Sequence, residues 1–296
     1  MKSIYKYIDK LNYNLGLSIF KNSNWASLNL YRYFYKKKIC NPDYLKIDYI
    51  NSFYKNGYTK LGRVEVSYIK ELKDLLNIQN PTNNKDYLFH YKITPDIYKV
   101  LKKIIQKELS EKIKILEKYY NQKIVLTFLT ISRNYPSQKK EESYSNFFHT
   151  DGYAYNMFKI FVNLHDVNEE NGPLTLVKKK YAKEFLKKFD YKSRESYTKP
   201  SNNEGKIFYK NTGKMGDVFL CNTTEVIHRA GDPDTGQYRD MIFLNFVAYP
   251  TTKKNISLLE YEDELYDDKL IKRLSKIKGL KNLISFYKKN LKEKLV

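Results

Sequence analysis

The sequence is poor in the residues that cross-link or punctuate a chain. Its 296 residues include two cysteines, Cys40 and Cys221, eight prolines and eleven glycines. Two cysteines cannot build a disulfide framework, so packing must hold the fold, and nothing points to an oxidising compartment. Histidine is scarce too: His90, His149, His165 and His228 are the four in the chain. Any histidine-based site must be drawn from those four. Acidic residues number 33 against 54 Lys and Arg, a formal net charge of +21. No apolar run reaches the roughly 18 residues that a membrane-spanning helix needs. The opening stretch MKSIYKYIDKLNYNLGLSIF carries lysine at positions 2, 6 and 10 and lacks the unbroken apolar segment of a signal peptide. The expectation is a cytoplasmic protein.

Hydrophobic residues make up 42% of the chain, enough for a sizeable core and too many for wholesale disorder. The positive charge suits an anionic partner, here a small-molecule substrate. No interleaved basic–aromatic motif speaks for nucleic acid. Much of the charge also reflects a chain-wide richness in Lys, Asn, Ile and Tyr, with 29 tyrosines. The tail 269–296 spaces Leu270, Leu274, Ile277, Leu280, Ile284, Tyr287, Leu291 and Leu295 by three and four among lysines. That is a basic amphipathic helix or helix pair. It suits packing on the core or a dimer mate, or peripheral docking on an anionic membrane at its inner face.

Patterning divides the chain into three parts: a helical Tyr/Lys-rich extension over 1–45, a main domain over 46–252, and the basic extension over 253–296. In the main domain, 49–61 reads as a helix, a Gly57 turn and a strand start. The window 67–78 places apolar residues at 69, 72, 75, 76 and 78, and 95–121 is a long helical pattern without Gly or Pro. From 123 onward, short β-rich runs follow one another: 123–135, 144–151, 156–167, 173–177, 205–210, 216–222 and 239–250. The expected fold is mainly β with flanking α-helices, a sandwich or barrel. Residues 178–204, with a helical KKYAKEFLKKF, read as an insertion over one face of the sheet.

The chemistry concentrates around FFHTDGYAYNMFKIFVNLHDV. On a strand, His149 and Asp151 point the same way. An imidazole and a carboxylate on one face supply two legs of a 2-His-1-carboxylate metal site, and a third leg must come from another histidine. His90 precedes the β region, and His165 stands at the far end of the next strand, before an acidic turn. His228 follows a glycine-opened apolar strand and precedes another, as a distal ligand on a second hairpin would. His228 is the choice, and His165 reads as structural. Arg239, eleven residues on, opens the strand RDMIFLNFVAYP. If that strand lies beside that of His228, the guanidinium enters the same cavity, and a buried arginine needs an anion. Fe(II) with open positions plus an arginine fork suits a chelating 2-oxo acid, with one position left for O2. The same His149, Asp151 and His228 could hold zinc for hydrolysis, although that leaves Arg239 without a role. A basic binding protein on a degenerate barrel is a further alternative.

These two stretches, HTDGYAYNMFKIFVNLHDVNEENGPLTLV and GDVFLCNTTEVIHRAGDPDTGQYRDMIFLNFVAYP, resemble the phytanoyl-CoA dioxygenase-like family of Fe(II)/2-oxoglutarate oxygenases. The likeness covers roughly residues 46–252, with gaps. It implies a double-stranded β-helix (jelly roll) and an H-x-D…H…R site. His149, Asp151 and His228 would hold iron and Arg239 the distal carboxylate of 2-oxoglutarate, with succinate and CO2 as coproducts of hydroxylation. Halogenases of that class lack the carboxylate at the position of Asp151. The chain departs from the family pattern at Ala230, where many members have serine, and at Lys178, Lys179 and Lys180, where a Gly-Ser-His turn is common. Lys159, the one charge in YNMFKIFVNL, shares a strand face with Met157, Phe161 and Asn163. It assists the cosubstrate if that face lines the barrel and is surface decoration otherwise. Thr130, Ser132 and Asn134 share one face of TFLTISRNY and could hydrogen-bond a cosubstrate, or form a polar outer face. Cys221 reads as a buried thiol. The Lys178–Lys180 run suits an acidic substrate, or a solvated surface.

Overall fold

A computed structural model of the protein describes residues 41–79, 87–121, 123–137, 146–151, 157–188 and 206–249. Most of the N-terminal extension, the basic tail and the later part of the insertion lie outside these residues. Helix α1 (Asp48–Asn56) ends at Gly57, whose φ of 79° turns the chain into β1 (Tyr58–Arg63). The helix–glycine–strand reading of 49–61 holds. Helix α2 (Val66–Asn77) buries Ile69, Leu72 and Leu76. Ile78, expected on that stripe, lies past the helix end and is 82% exposed. Strand β2 (Leu88–His90) follows, and sequence patterning did not signal it, because three residues carry too little alternation.

The long helical pattern at 95–121 is three segments. Thr94 caps α3 (Pro95–Lys103) by accepting from the Ile97 amide, with Pro95 in the first turn. A π-helical stretch over Ile104–Leu109 leads into α4 (Ser110–Tyr120). The wider turn adjusts the apolar stripe, so Ile104, Ile105, Leu109, Ile113 and Leu116 all stay buried.

The remaining strands are β3 (Lys123–Asn134), β4 (Met157–Asn163), β5 (Thr175–Val177), β6 (Phe208–Lys210), β7 (Asp217–Cys221), β8 (His228–Arg229) and β9 (Arg239–Tyr249). They form a six-stranded sheet ordered β1-β7-β4-β9-β3-β2 and a three-stranded sheet ordered β6-β5-β8, with antiparallel pairing throughout. The chain passes between sheets: β4 in the large, β5 and β6 in the small, β7 in the large, β8 in the small, β9 in the large. This is a double-stranded β-helix, or jelly roll, with flanking helices, the expected class.

Alternation assigns the two faces. Ile242, Leu244 and Phe246 of β9 pack with the helices around Ile69, Leu72, Leu101 and Ile113. Met241 and Phe243 face the small sheet, with Phe161, Leu174, Leu176, Phe219 and Cys221. A third cluster lies on the small sheet's outer side, where Phe185 of α5 (Ala182–Lys188) packs on Phe148, Val177 and Phe208. The helical part of the insertion therefore covers one face of a sheet, as its sequence suggested. Among the described residues no helix is long and apolar enough to cross a membrane.

The NEENGP turn and the loop after β8 meet backbone to backbone. A Cβ on Gly172 would fall 2.4 Å from Asp232 C, and its φ is 61°. Gly172→Ala should cost at least ~2 kcal/mol, from the left-handed backbone and a clash no side chain can relieve. Urea denaturation of the variant checks this, and an unchanged midpoint would contradict it.

Candidate metal centre

His149 and His228 form an isolated antiparallel bridge. Each backbone amide donates to the other's carbonyl at 2.9 Å. The two imidazoles leave the same side of this bridge, with ring centroids 4.4 Å apart. Asp151 lies two residues beyond His149, its amide donating to Thr223 O at 2.8 Å. One ligand atom from each of His149, Asp151 and His228 lies within 4.8 Å of the others, and all three residues are buried. His149 Nε2 is 3.7 Å from Asp151 Oδ1, and His228 Nε2 is 3.7 Å from Oδ2.

The tautomers follow from the backbone. His149 Nδ1 is 2.6 Å from Phe147 O and His228 Nδ1 is 2.9 Å from Val226 O. A carbonyl only accepts, so each Nδ1 carries a proton and each Nε2 turns to the centre, where its lone pair can be offered to a metal. Backbone carbonyls commonly orient metal-binding histidines in this way. No sequence signal could have pointed to Phe147 or Val226, because their contribution is main-chain. Two imidazoles and a carboxylate suit a divalent transition metal.

Asp151 is an anion here. Burial by itself would raise its pKa, but the Lys159 ammonium and the imidazoles of His228 and His149 hold it below the ordinary carboxylate range. Lys159 faces the space between the sheets, and its Nζ lies 2.6 Å from Asp151 Oδ2. The sequence left its facing open. The structure turns it inward, onto a candidate metal ligand.

Arg239 is on the same inter-sheet face, at the start of β9 and 2% exposed. It does not come from a strand beside that of His228. Strand β9 pairs with β3 and β4, so Arg239 and His228 belong to opposing sheets. Nε and Nη1 of Arg239 have no hydrogen-bond partner. Burial pulls its pKa down to about 10, which leaves it charged at neutral pH. A buried guanidinium with unused donors fits a carboxylate ligand.

Thr130, Ser132 and Asn134 face the same space by register with Phe243, Met241 and Arg239. Thr130 Oγ1 is 3.3 Å from Nδ1 of His90, which the sequence placed outside the β region. Asn245, opposite Lys159, is a buried inward polar residue that sequence reasoning passed over. Alternation from Arg239 along its strand would have found it. Cys221 is fully buried, and burial raises its thiol pKa. Lys178, Lys179 and Lys180 line a surface hollow of about 300 Å³ with Lys55, Asn56 and Tyr58.

His165 stands apart. Its Nδ1 donates to Asp166 O at 2.7 Å and its Nε2 accepts from the Asp240 amide at 3.0 Å. The Asp240 carboxylate holds Arg133 through two 2.7 Å bonds on the sheet face opposite Arg239. His165 is therefore structural, and it helps fix the register that turns Arg239 inward.

No family model and no curated protein matches the chain. Solved structures do. HygX from Streptomyces hygroscopicus with nickel and 2-oxoglutarate bound is 15% identical, with a TM-score of 0.48 over 70% of this chain and 87% of that one. The non-haem alpha-ketoglutarate-dependent epimerase SnoN from nogalamycin biosynthesis is 17% identical, with a TM-score of 0.48 over 74% and 89%. A nickel complex of the non-haem monooxygenase ThoJ is 12% identical, with a TM-score of 0.42 over 70% and 81%. Likenesses this distant leave the chemistry to be read from the site's own residues.

His228→Ala should weaken Ni(II) or Mn(II) binding more than ~100-fold, since it removes a ligand outright. His165→Ala should leave that binding intact and cost ~1–2 kcal/mol of stability, because the Asp240 amide loses its acceptor. Calorimetric metal titration distinguishes the two, and the opposite pattern would exchange their roles. Burial lowers the His165 pKa from 6.5. The neutral ring's contribution is therefore complete above about pH 6.5 and is lost as pH falls through the folded value. The stability difference between wild type and His165→Ala should shrink on acidification.

Proposed function

We propose that the protein is a non-haem Fe(II)/2-oxoglutarate-dependent oxygenase that hydroxylates an unactivated C–H bond of a small or medium anionic molecule. The observation that carries this reading is the pairing of a buried His149–Asp151–His228 set with a buried Arg239 whose donors are unused, both facing the space between the sheets. A zinc hydrolase would need the first feature and not the second. The phytanoyl-CoA dioxygenase-like pattern in the sequence agrees with both.

On this reading, His149, Asp151 and His228 hold iron through two Nε2 lone pairs and a carboxylate oxygen. Iron bound there would supply reductive activation of O2 coupled to decarboxylation of 2-oxoglutarate. Arg239 anchors the distal carboxylate of the cosubstrate in a site with little competing water. Thr130 and Ser132, whose side chains share the inter-sheet face with Arg239, hydrogen-bond the same ligand on this reading. Phe161, Phe219 and Phe243 keep the inter-sheet space apolar, which restricts access of water to the reacting centre. Substrate anions would find complementary charge in the basic surface, including the hollow at Lys178–Lys180.

Anaerobic Fe(II) with 2-oxoglutarate should give a weak visible charge-transfer band, and a screen across anionic metabolites should reveal substrate-dependent succinate. Wild type with no band and zinc as its one tightly held metal would overturn the reading. Arg239→Lys should raise KM for 2-oxoglutarate at least ~10-fold with a smaller effect on kcat, because a point charge replaces a fork. Unchanged cosubstrate affinity would remove Arg239 from the site.

A further inference from the structure

Two distant stretches of the chain bring lysines to one surface hollow of about 300 Å³. Lys55, Asn56 and Tyr58 come from the junction of α1 and β1, and Lys178, Lys179 and Lys180 from the turn after β5. That turn is fixed by its backbone: the Lys178 amide donates to Ile207 O at 2.9 Å and the Tyr181 amide to Lys178 O at 2.8 Å. Lys178 Nζ donates to Lys206 O at 3.0 Å, Lys179 Nζ lies 3.1 Å from Glu225 Oε2, and Lys180 Nζ lies 4.8 Å from the Tyr181 ring centroid. Among the described residues, Lys55 and Lys180 have no carboxylate partner, and Glu225 is the one acid paired with the hollow's lysines. The C-terminal end of α1 adds roughly half a negative charge. Four ammonium groups thus face about one and a half negative charges, an excess of about two and a half positive charges.

We propose that this hollow is a binding site, separate from the metal centre, for a diphosphate group carried by a small molecule. Its cations are all lysines, compact point charges with rotatable donors, which suit tetrahedral phosphate oxygens. Arg239 is the contrasting case, a planar fork that suits a carboxylate. A lone phosphate monoester carries about 1.5 to 2 negative charges and leaves part of the excess unmatched, whereas a diphosphate group covers it. Burial pushes the Tyr58 pKa up to about 12, so no phenolate opposes an anion there. The Tyr58 ring is stacked on Tyr209 at 4.7 Å and packs against the apolar cluster between the sheets. Register sets Tyr58 opposite Cys221 and Cys221 opposite Lys159, which touches Asp151. Tyr58 therefore stands two strands, about 10 Å, from Lys159. On the oxygenase reading the diphosphate-bearing molecule is the substrate, but the binding itself does not depend on that reading.

The test is calorimetric titration of inorganic diphosphate into the full chain with no metal added. Wild type should bind one diphosphate per chain, at least ~tenfold more tightly than succinate, whose planar carboxylates suit forks better than point charges. Lys55→Glu combined with Lys180→Glu should weaken binding at least ~tenfold, since each reversal sets a like charge a few ångströms from the ligand. The neutral pair Lys55→Gln with Lys180→Gln should lose less, about threefold or more. Lys70→Glu with Lys114→Glu makes the same change in net charge on α2 and α4, outside the hollow, and should stay within about twofold of wild type. Lys55, Lys70, Lys114 and Lys180 are all exposed, and thermal melts check that each variant keeps its fold. Equal losses in the two glutamate pairs would reduce the effect to the net charge of the chain and overturn the proposal. So would a wild type that binds no diphosphate, or that binds succinate as tightly. With no metal present, these outcomes are independent of the oxygenase reading, whose failure would show as a missing charge-transfer band.

Discussion

Strand β9 is the constraint on which the rest of the fold depends. It is central in the large sheet, paired with β3 on one side and β4 on the other, and it is buried on both faces. Because successive side chains alternate, its register decides two things at once. Ile242, Leu244 and Phe246 meet the helices, and Arg239, Met241, Phe243 and Asn245 meet the small sheet. A slip of one residue would exchange a helix-facing core for a guanidinium and an amide. The register is pinned outside the site, by the Arg133–Asp240 fork and by the His165 ring that accepts the Asp240 amide.

The candidate centre is assembled from both sheets. The small sheet's rim supplies His149 and His228, which two reciprocal backbone hydrogen bonds hold in register, and Asp151 follows two residues on with its amide bonded to Thr223 O. The large sheet supplies the cations, Lys159 and Arg239. One is satisfied by Asp151 and the other has unused donors. That asymmetry gives the site its chemical character. A buried ammonium beside a carboxylate is close to neutral, whereas a buried guanidinium with open N–H groups calls for an anion from outside the fold.

Much of this was legible in sequence where the signal was local. Two-residue spacing placed His149 and Asp151 on one face. Four histidines in the chain made the third partner a short enumeration. Gly57 marked a helix end, and the long β-rich runs at 123, 156 and 239 became β3, β4 and β9. Short elements escaped, because β2 and β8 have three and two residues and no periodicity to read. The π-helical stretch inside 95–121 escaped because it preserves the very stripe that suggests one continuous helix. Ile78 matched the α2 pattern by spacing alone, but as the C-cap it stands just past the last helical residue and is exposed.

By itself, the sequence determined the residue types available to a metal site, the alternation that pairs them on faces, and the mainly β class of the main domain. Tertiary structure decided which sheets present them. It set Arg239 across from His228 instead of beside it, because β9 finds its partners in β3 and β4 and not in its neighbour along the chain. It also turned Lys159 inward onto Asp151. Alternation assigns a side chain to a face, but only the packing of a second sheet says whether that face is solvent or a low-dielectric interior. In that interior a lysine needs a carboxylate, and Asp151 lies within its reach.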